Sequence, residues 1–374
     1  MINTFTSYHL INRDLSRSLE RVQSQPMVQR ETEYYQENIG RVASIEEFIN
    51  DDRLFRYAMK AHGLEDMAYA KAFMVKVLEE GISDPESFAN KLTDKRYVEF
   101  ARTYNFAAGG TNTTTYNPAQ KGTVDKYLSR AISNGVEPND PALIGSINTY
   151  LSKISDIKSV DDLMGDQEML SFALMAHGFE VDEVIDLEFL RSVLEGGIDD
   201  PESPANKSED ERYKALAGAF NFARYGEDAT TYNVTNNLAV ERYMRQTLEE
   251  DAGKQNEGVR LALYFQRKAP DFRSYYELLA DKAVAQVVRT ALGFPPALAQ
   301  ADIDKQVELI KERIEIEDFK DPEKLDEFLK RFTTMWELEN PSSSQQTSIA
   351  ALFSQPAEFG ISTDMLFTIA QLKR

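Results

Sequence analysis

The chain has 374 residues, enough for two or three folding units, and 42% of them are hydrophobic, so a packed core is expected rather than disorder. Against 42 Lys and Arg stand 62 Asp and Glu, a formal charge of −20 with no basic cluster, which argues against nucleic acid and anionic membrane surfaces as partners. The absence of cysteine removes disulfides, thiolate nucleophiles and zinc–thiolate or iron–sulfur sites.

Residues 1–43 read as a helical leader interrupted at Pro26. The opening MINTFTSYHLINRDLSRSLERV has no basic segment followed by an apolar run, so it does not read as a Sec signal. No stretch of the chain reaches the roughly 18–20 apolar residues of a membrane span. Arg13, Arg17, Arg21 and Arg30 outweigh Asp14 and Glu20, a pattern that suits either a loose N-terminus or an exported, partner-binding arm.

From residue 44 onward the chain repeats itself. SIEEFINDDRLFRYAMKAHGLED (44–66) returns as SVDDLMGDQEMLSFALMAHGFEV (159–181), and SYYELLADKAVAQVVRTALGFPP (274–296) follows in the same register, each copy about 115 residues after the last. VLEEGISDPESFANK (77–91) matches VLEGGIDDPESPANK (193–207), and TTTYN (113–117) matches ATTYN (229–233). The boundaries that follow are 44–158, 159–273 and a divergent third unit, 274–374, with the possibility of one continuous core.

Each unit reads as helices. Ser44 with Glu47 and Ser159 with Asp162 have capping-box spacing, and Leu54, Tyr57, Ala58 and Ala61 form an apolar stripe that Met169, Phe172, Ala173 and Ala176 repeat. Gly63, Gly178 and Gly293 fall where a left-handed residue would end the helix. Asp84-Pro85 reads as N-cap and first residue of a following helix, and the pair recurs as Asp200-Pro201 and Asp321-Pro322. No segment alternates with period two, so the expected fold is all-α: a multihelical array of three related units behind the leader. SIAALFSQPAEFGISTDMLFTIAQLKR (348–374) reads as two short amphipathic pieces, able to cap the repeat or dock on a neighbour.

Four groups of residues are candidates for function. His62 and His177 share an Ala-His-Gly sequence and are candidate ligands or bases, but each directly precedes a helix-stopping glycine, where an imidazole bonds orphan carbonyls; the third copy has Leu292 there. That placement favours a structural role. Arg96, Arg212 and Arg331, each followed by an aromatic ring, are candidate anion or partner sites, or arginines that pair with a nearby acid. Tyr116 and Tyr232 sit in Thr/Asn loops that either hold a ligand or close on their own backbone. No phosphate-cradling loop, nucleophile elbow, zinc-protease helix or calcium ladder occurs, so no cofactor, metal or catalytic residue is assigned.

RETEYYQENIGRVASIEEFINDDRLFRYAMKAHGLEDMAYAKAFMVKVLEEGISDPESFANKLTDKRYVEFARTYNF (30–106) resembles the alphaproteobacterial family called domain of unknown function 1217. The likeness is close over the leader and first unit, clear over the second and thin over the third. Members are all-helical and often encoded among flagellar genes, which implies a role in flagellar assembly or function, as an exported axial or accessory component. The family supplies no catalytic residues. The expected protein is a non-enzymatic helical repeat that works through protein partners. The alternatives are a cytoplasmic adaptor or chaperone-like module for flagellar proteins, and a small-molecule binder or enzyme using the Ala-His-Gly and Thr-Tyr positions. The oligomeric state and the compartment, cytoplasm or flagellum by non-Sec export, are left open by the residues.

Overall fold

A computed structural model describes residues 3–180 and 182–340, and among them every regular element is helical. The expected all-α class holds, and the repeat is visible residue by residue. In all three copies a serine opens the first helix, with Ser44, Ser159 and Ser274 accepting from the backbone N–H of Glu47, Asp162 and Glu277 at 3.1, 3.1 and 3.2 Å. The carboxylate three residues on reaches back to the N–H just before the serine. Asp51, Asp166 and Asp281 then cap the next helix. That helix ends each time with a glycine at positive φ, 67° at Gly63, 102° at Gly178 and 67° at Gly293. The following N–H closes onto a carbonyl five residues back: Leu64 on Met59, Phe179 on Leu174, Phe294 on Arg289.

The first two Asp-Pro pairs differ from the expectation. Asp321-Pro322 does open a helix, Pro322–Glu339. Asp84-Pro85 and Asp200-Pro201 form turns instead, because the Asn90 and Asn206 side chains donate to the carbonyls of Ile82 and Asp84, and of Ile198 and Asp200, and tie the turn shut. The short helices start later, at Phe88 behind Ser87 and at Pro204 behind Ser203.

Contacts divide the chain into two bodies, residues 19–248 and residues 3–18 with 249–340. In the second body the helix Thr4–Arg13 packs on Glu257–Lys268 and Pro322–Glu339. It buries Tyr8 with Val259, Phe265, Val287, Leu329 and Phe332. The leader therefore divides: residues 4–13 serve this body, and Pro26–Ile39 serves the other. The reading of residues 348–374 as amphipathic pieces lies outside the described residues.

The body of residues 19–248 holds the first two copies, and they exchange parts. The helix Thr123–Ser133 follows the first Thr-Tyr loop, yet it packs on Gln167–Ala176 of the second copy. Its Tyr127 ring stacks 4.0 Å from Phe172, whose other neighbour, Tyr150, lies at 4.1 Å. The reciprocal stack is Tyr243, after the second loop, on Tyr57 of the first copy at 3.8 Å, with Tyr35 beyond at 4.3 Å. Tyr57 corresponds to Phe172, Tyr35 to Tyr150 and Tyr127 to Tyr243 in the repeat register. With the helices Pro26–Ile39 and Pro141–Lys153, which carry Tyr35 and Tyr150, counted with the copies they precede, each copy lends one ring to the other copy's three-ring stack, the pattern of a two-fold, domain-swapped dimer written into one chain.

Candidate functional site

The exchange is held together by the two Thr-Tyr-Asn loops. Asn117 donates its side-chain amide to the Tyr232 carbonyl at 2.7 Å, and Asn233 donates to the carbonyls of Thr114 at 2.9 Å and Tyr116 at 3.3 Å. The bond from Asn117 to the Tyr232 carbonyl and that from Asn233 to the Tyr116 carbonyl are one contact made in both directions, as two-fold contacts require, while the second bonds differ, Asn117 reaching Ala229 and Asn233 reaching Thr114. Both asparagines also cap the turn that follows through Oδ1, Asn117 for the Gln120 N–H and Asn233 for the Thr235 and Asn236 N–H groups. The hydroxyls of Thr114 and Thr230 anchor each loop to the segment just ahead of its own copy, on the Val42 and Ile157 carbonyls at 2.7 and 2.9 Å. Two tyrosines complete the lattice: Tyr35 Oη donates to the Thr235 carbonyl and Tyr150 Oη to the Ala119 carbonyl, both at 2.5 Å. Asn117 is 3% exposed and Thr230 fully buried, and the threonine and tyrosine hydroxyl bonds are made away from water, where breaking one leaves a carbonyl unpaired.

Tyr116 and Tyr232 contribute mainly backbone carbonyls to this clasp. The Tyr116 ring, itself 44% exposed, lies over Gly122, where a Cβ would come within 2.6 Å of its hydroxyl. The Tyr232 ring stacks on Tyr225 at 4.1 Å, and burial followed by the nearby Glu241 carboxylate raises its pKa above the ordinary phenol value. The tyrosines are the conspicuous residues of these loops in the sequence. The asparagines next to them carry the cross-links, and the shared Asn ending both TTTYN and ATTYN was the available signal.

His62 and His177 end their helices as C-caps, 8% and 6% exposed. Nδ1 of His62 donates to the Ala58 carbonyl at 2.9 Å, and Nδ1 of His177 to the Ala173 carbonyl at 2.8 Å. Beyond that the copies part. His62 Nε2 faces Thr103 Oγ1 at 3.1 Å, while His177 Nε2 is buried with no partner among the described residues, because Ala219 stands where the first copy has Thr103. Burial pushes the His177 pKa down to about 4; the bond to Ala173 opposes this and the Lys126 charge adds to it. The first histidine packs against Phe100 and Tyr104, the second against Phe220, so the two lie in separate helix-end environments. Restoring the missing hydroxyl should help: Ala219→Ser is expected to stabilise the protein by about 1 kcal/mol at neutral pH. Urea unfolding of the variant beside the parent measures it, and a loss of stability would show that Nε2 already has a partner in solution.

Arg96 and Arg212 are clamps across the same helix ends. Arg96 grips Asp94 through Nε and a terminal nitrogen (3.0 and 2.7 Å) and donates to the Gly63 carbonyl. Arg212 grips Asp210 in the same way, donates to the Gly178 carbonyl at 3.1 Å and adds a two-pronged pair with Glu183 at 2.7 and 2.9 Å. The Asp210 and Glu183 partners raise the Arg212 pKa, and the guanidinium holds both carboxyls below their usual range. Its plane also lies 4.4 Å over the Phe179 ring. Arg331 does not share this arrangement. It has Leu329 where the others have aspartate, and it is exposed on Pro322–Glu339, beside an open hollow lined by Glu327, Lys330, Thr334 and Met335 of that same helix.

A cleft of about 140 Å³ touches the second three-ring stack, lined by Tyr127, Tyr150, Phe172, Glu168 and Met175 among others. It is smaller than the roughly 300–1,000 Å³ of a typical small-molecule site. No group of three or more His, Asp or Glu able to hold a metal occurs among the described residues.

The model of a family described as a protein of unknown function, DUF1217, matches the chain twice, over residues 61–183 and 176–325. A crystal structure of a structural-genomics protein from Agrobacterium tumefaciens is similar at 36% identity with a TM-score of 0.55, covering 90% of this chain and 94% of that one. The comparison with curated proteins returns no match.

Proposed function

For a chain that belongs to the DUF1217 family of proteins of unknown function, we propose a non-enzymatic role: a helical body that works through contacts with other proteins. One observation carries the reading. In the first two copies, the polar side chains that a catalytic or ligand-binding interpretation would need are spent inside the fold. The histidines cap helix ends, Arg96 and Arg212 grip their own aspartates, and the loop asparagines and threonines join the two copies. What remains outward is surface, and surface is what a binding component offers.

The resemblance of residues 30–106 supports a flagellar setting for this reading, with the protein as an exported structural or accessory component. Among the described residues no helix is long and apolar enough to cross a membrane, which fits delivery without insertion. The test is location. A tagged copy is blotted in cytoplasm, culture supernatant and purified basal bodies, in a parent strain and in one lacking the flagellar export gate. The expected signal is in the basal-body or supernatant fraction and vanishes without the gate. Signal confined to the cytoplasm and indifferent to the gate would overturn export and favour the adaptor reading.

A further inference from the structure

We infer that the cleft against the second three-ring stack is a seat for an aliphatic ammonium, the side-chain head of a lysine from another protein. The inference rests on the contact role proposed above only in naming a protein as the source of that lysine; the seat itself is tested on the purified chain, apart from any location.

The first copy shows what this place holds when the chain fills it. Both copies share the floor: Tyr127, Tyr150 and Phe172 of the second stack stand where Tyr243, Tyr35 and Tyr57 stand in the first. The rims differ. Where the first copy has Arg53, Arg56 and Lys60, the second has Glu168, Ser171 and Met175, and Glu31 gives way to Ser146. In the first copy Arg53 meets Glu31 through two bonds of 3.1 Å, and the Lys60 ammonium stands 5.2 Å from the centre of the Tyr243 ring. In the second copy two of these long side chains are reduced to serine, and about 140 Å³ opens beside the Tyr127 ring. The chain thus sets its own lysine against one stack and leaves the equivalent place on the other open.

The lining selects the charge of what enters. Glu168, Ser171 and Met175 form one stripe of Gln167–Ala176, at i, i+3 and i+7, and Ser146 lines the cleft from Pro141–Lys153. Lys153 takes Oε2 of Glu168 at 2.7 Å, so Oε1 has no partner among the described residues, and neither have the hydroxyls of Ser146 and Ser171. Three acceptor oxygens therefore border an aromatic wall, a match for the three N–H donors of an ammonium. An anion meets the Glu168 carboxylate and the negative ring faces instead. Glu168 is the one charged group in the lining. Elsewhere on the three helices Arg130 is held by Glu180 at 3.0 Å and Asp125 by Lys121 at 3.4 Å, while Lys126 and Lys153, the latter shared with Asp166, stand outside the lining. The volume suits one side chain and falls short of a cofactor. A contact this small is weak, with a dissociation constant on the order of 1–10 mM.

Met169 and Met175 both line the cleft, so 13C-methyl methionine labelling of the full chain reads it directly. Titration with Nα-acetyl-lysine methylamide should shift both methyl signals to saturation. The norleucine analogue, which has the stem without the ammonium, should shift them several-fold less at the same concentration. Glu168→Gln should weaken lysine binding several-fold. Met175→Lys restores the residue with which the first copy already folds, and should abolish the Met169 response while the other methyl signals report an intact fold. No shift by about 50 mM lysine derivative, an equal response to norleucine, or a Met175→Lys chain that still responds would each overturn the seat. Cadaverine, the same ammonium on a free diamine, should bind no more tightly than the lysine derivative; a ten-fold tighter cadaverine would overturn the protein source and assign the seat to a free amine.

Discussion

Tyr57→Ala is expected to lower the unfolding free energy by about 3–5 kcal/mol. The ring is 3% exposed and sits between Tyr35 and Tyr243, and its hydroxyl bonds Thr32 Oγ1 at 3.0 Å. Truncation removes two ring contacts, opens a cavity and strands that threonine. The more telling part is where the damage spreads. Were each copy an independent repeat, opening Asp52–Ala61 would leave Gln167–Ala176 protected. Here the helix that covers Gln167–Ala176 is Thr123–Ser133, which follows directly from the first loop, and that loop is cross-linked to the second by Asn117 and Asn233. Hydrogen-exchange mass spectrometry should therefore show both helices losing protection together and by similar amounts. Protection lost around residues 52–61 alone would sink the exchanged arrangement.

Much of this was legible in the sequence because it is local. Serine, a carboxylate three residues on and a glycine after an apolar stripe specify a helix by chemistry within a few residues, and all three copies obey. The Asp-Pro turns went otherwise because Asn90 and Asn206, several residues downstream, supply the competing bonds. The exchange was not legible, for a different reason. Duplication says that Tyr127 and Tyr243 are equivalent. It does not say which copy's stripe each one covers, since the stripes offer the same apolar face. The Arg331 difference, by contrast, was readable: Asp94 and Asp210 precede the other two arginines by two residues, and Leu329 takes that place in the third.

The same comparison of copies leads to an acid sensitivity that belongs to one histidine. His177 has a folded pKa of about 4 against an ordinary 6.5, so the unfolded chain binds a proton that the folded chain refuses. Stability from this site is therefore complete above about pH 6.5 and falls as the pH drops toward 4, by up to roughly 3 kcal/mol. The cause is physical: a buried Nε2, facing no acceptor among the described residues, must either desolvate a charge or stay neutral. Carboxylates also titrate in this range, so the contribution has to be isolated by difference. His177→Leu copies Leu292 of the third unit; it gives up the Nδ1 bond to Ala173 and with it the titration. Urea unfolding at pH 7.5 should find the variant within about 1 kcal/mol of the parent. At pH 4.5 the variant should be the more stable by about 2 kcal/mol. A difference between the two proteins that stays constant from pH 7.5 to 4.5 would mean that His177 protonates as readily folded as unfolded, and that water or a shifted side chain reaches Nε2.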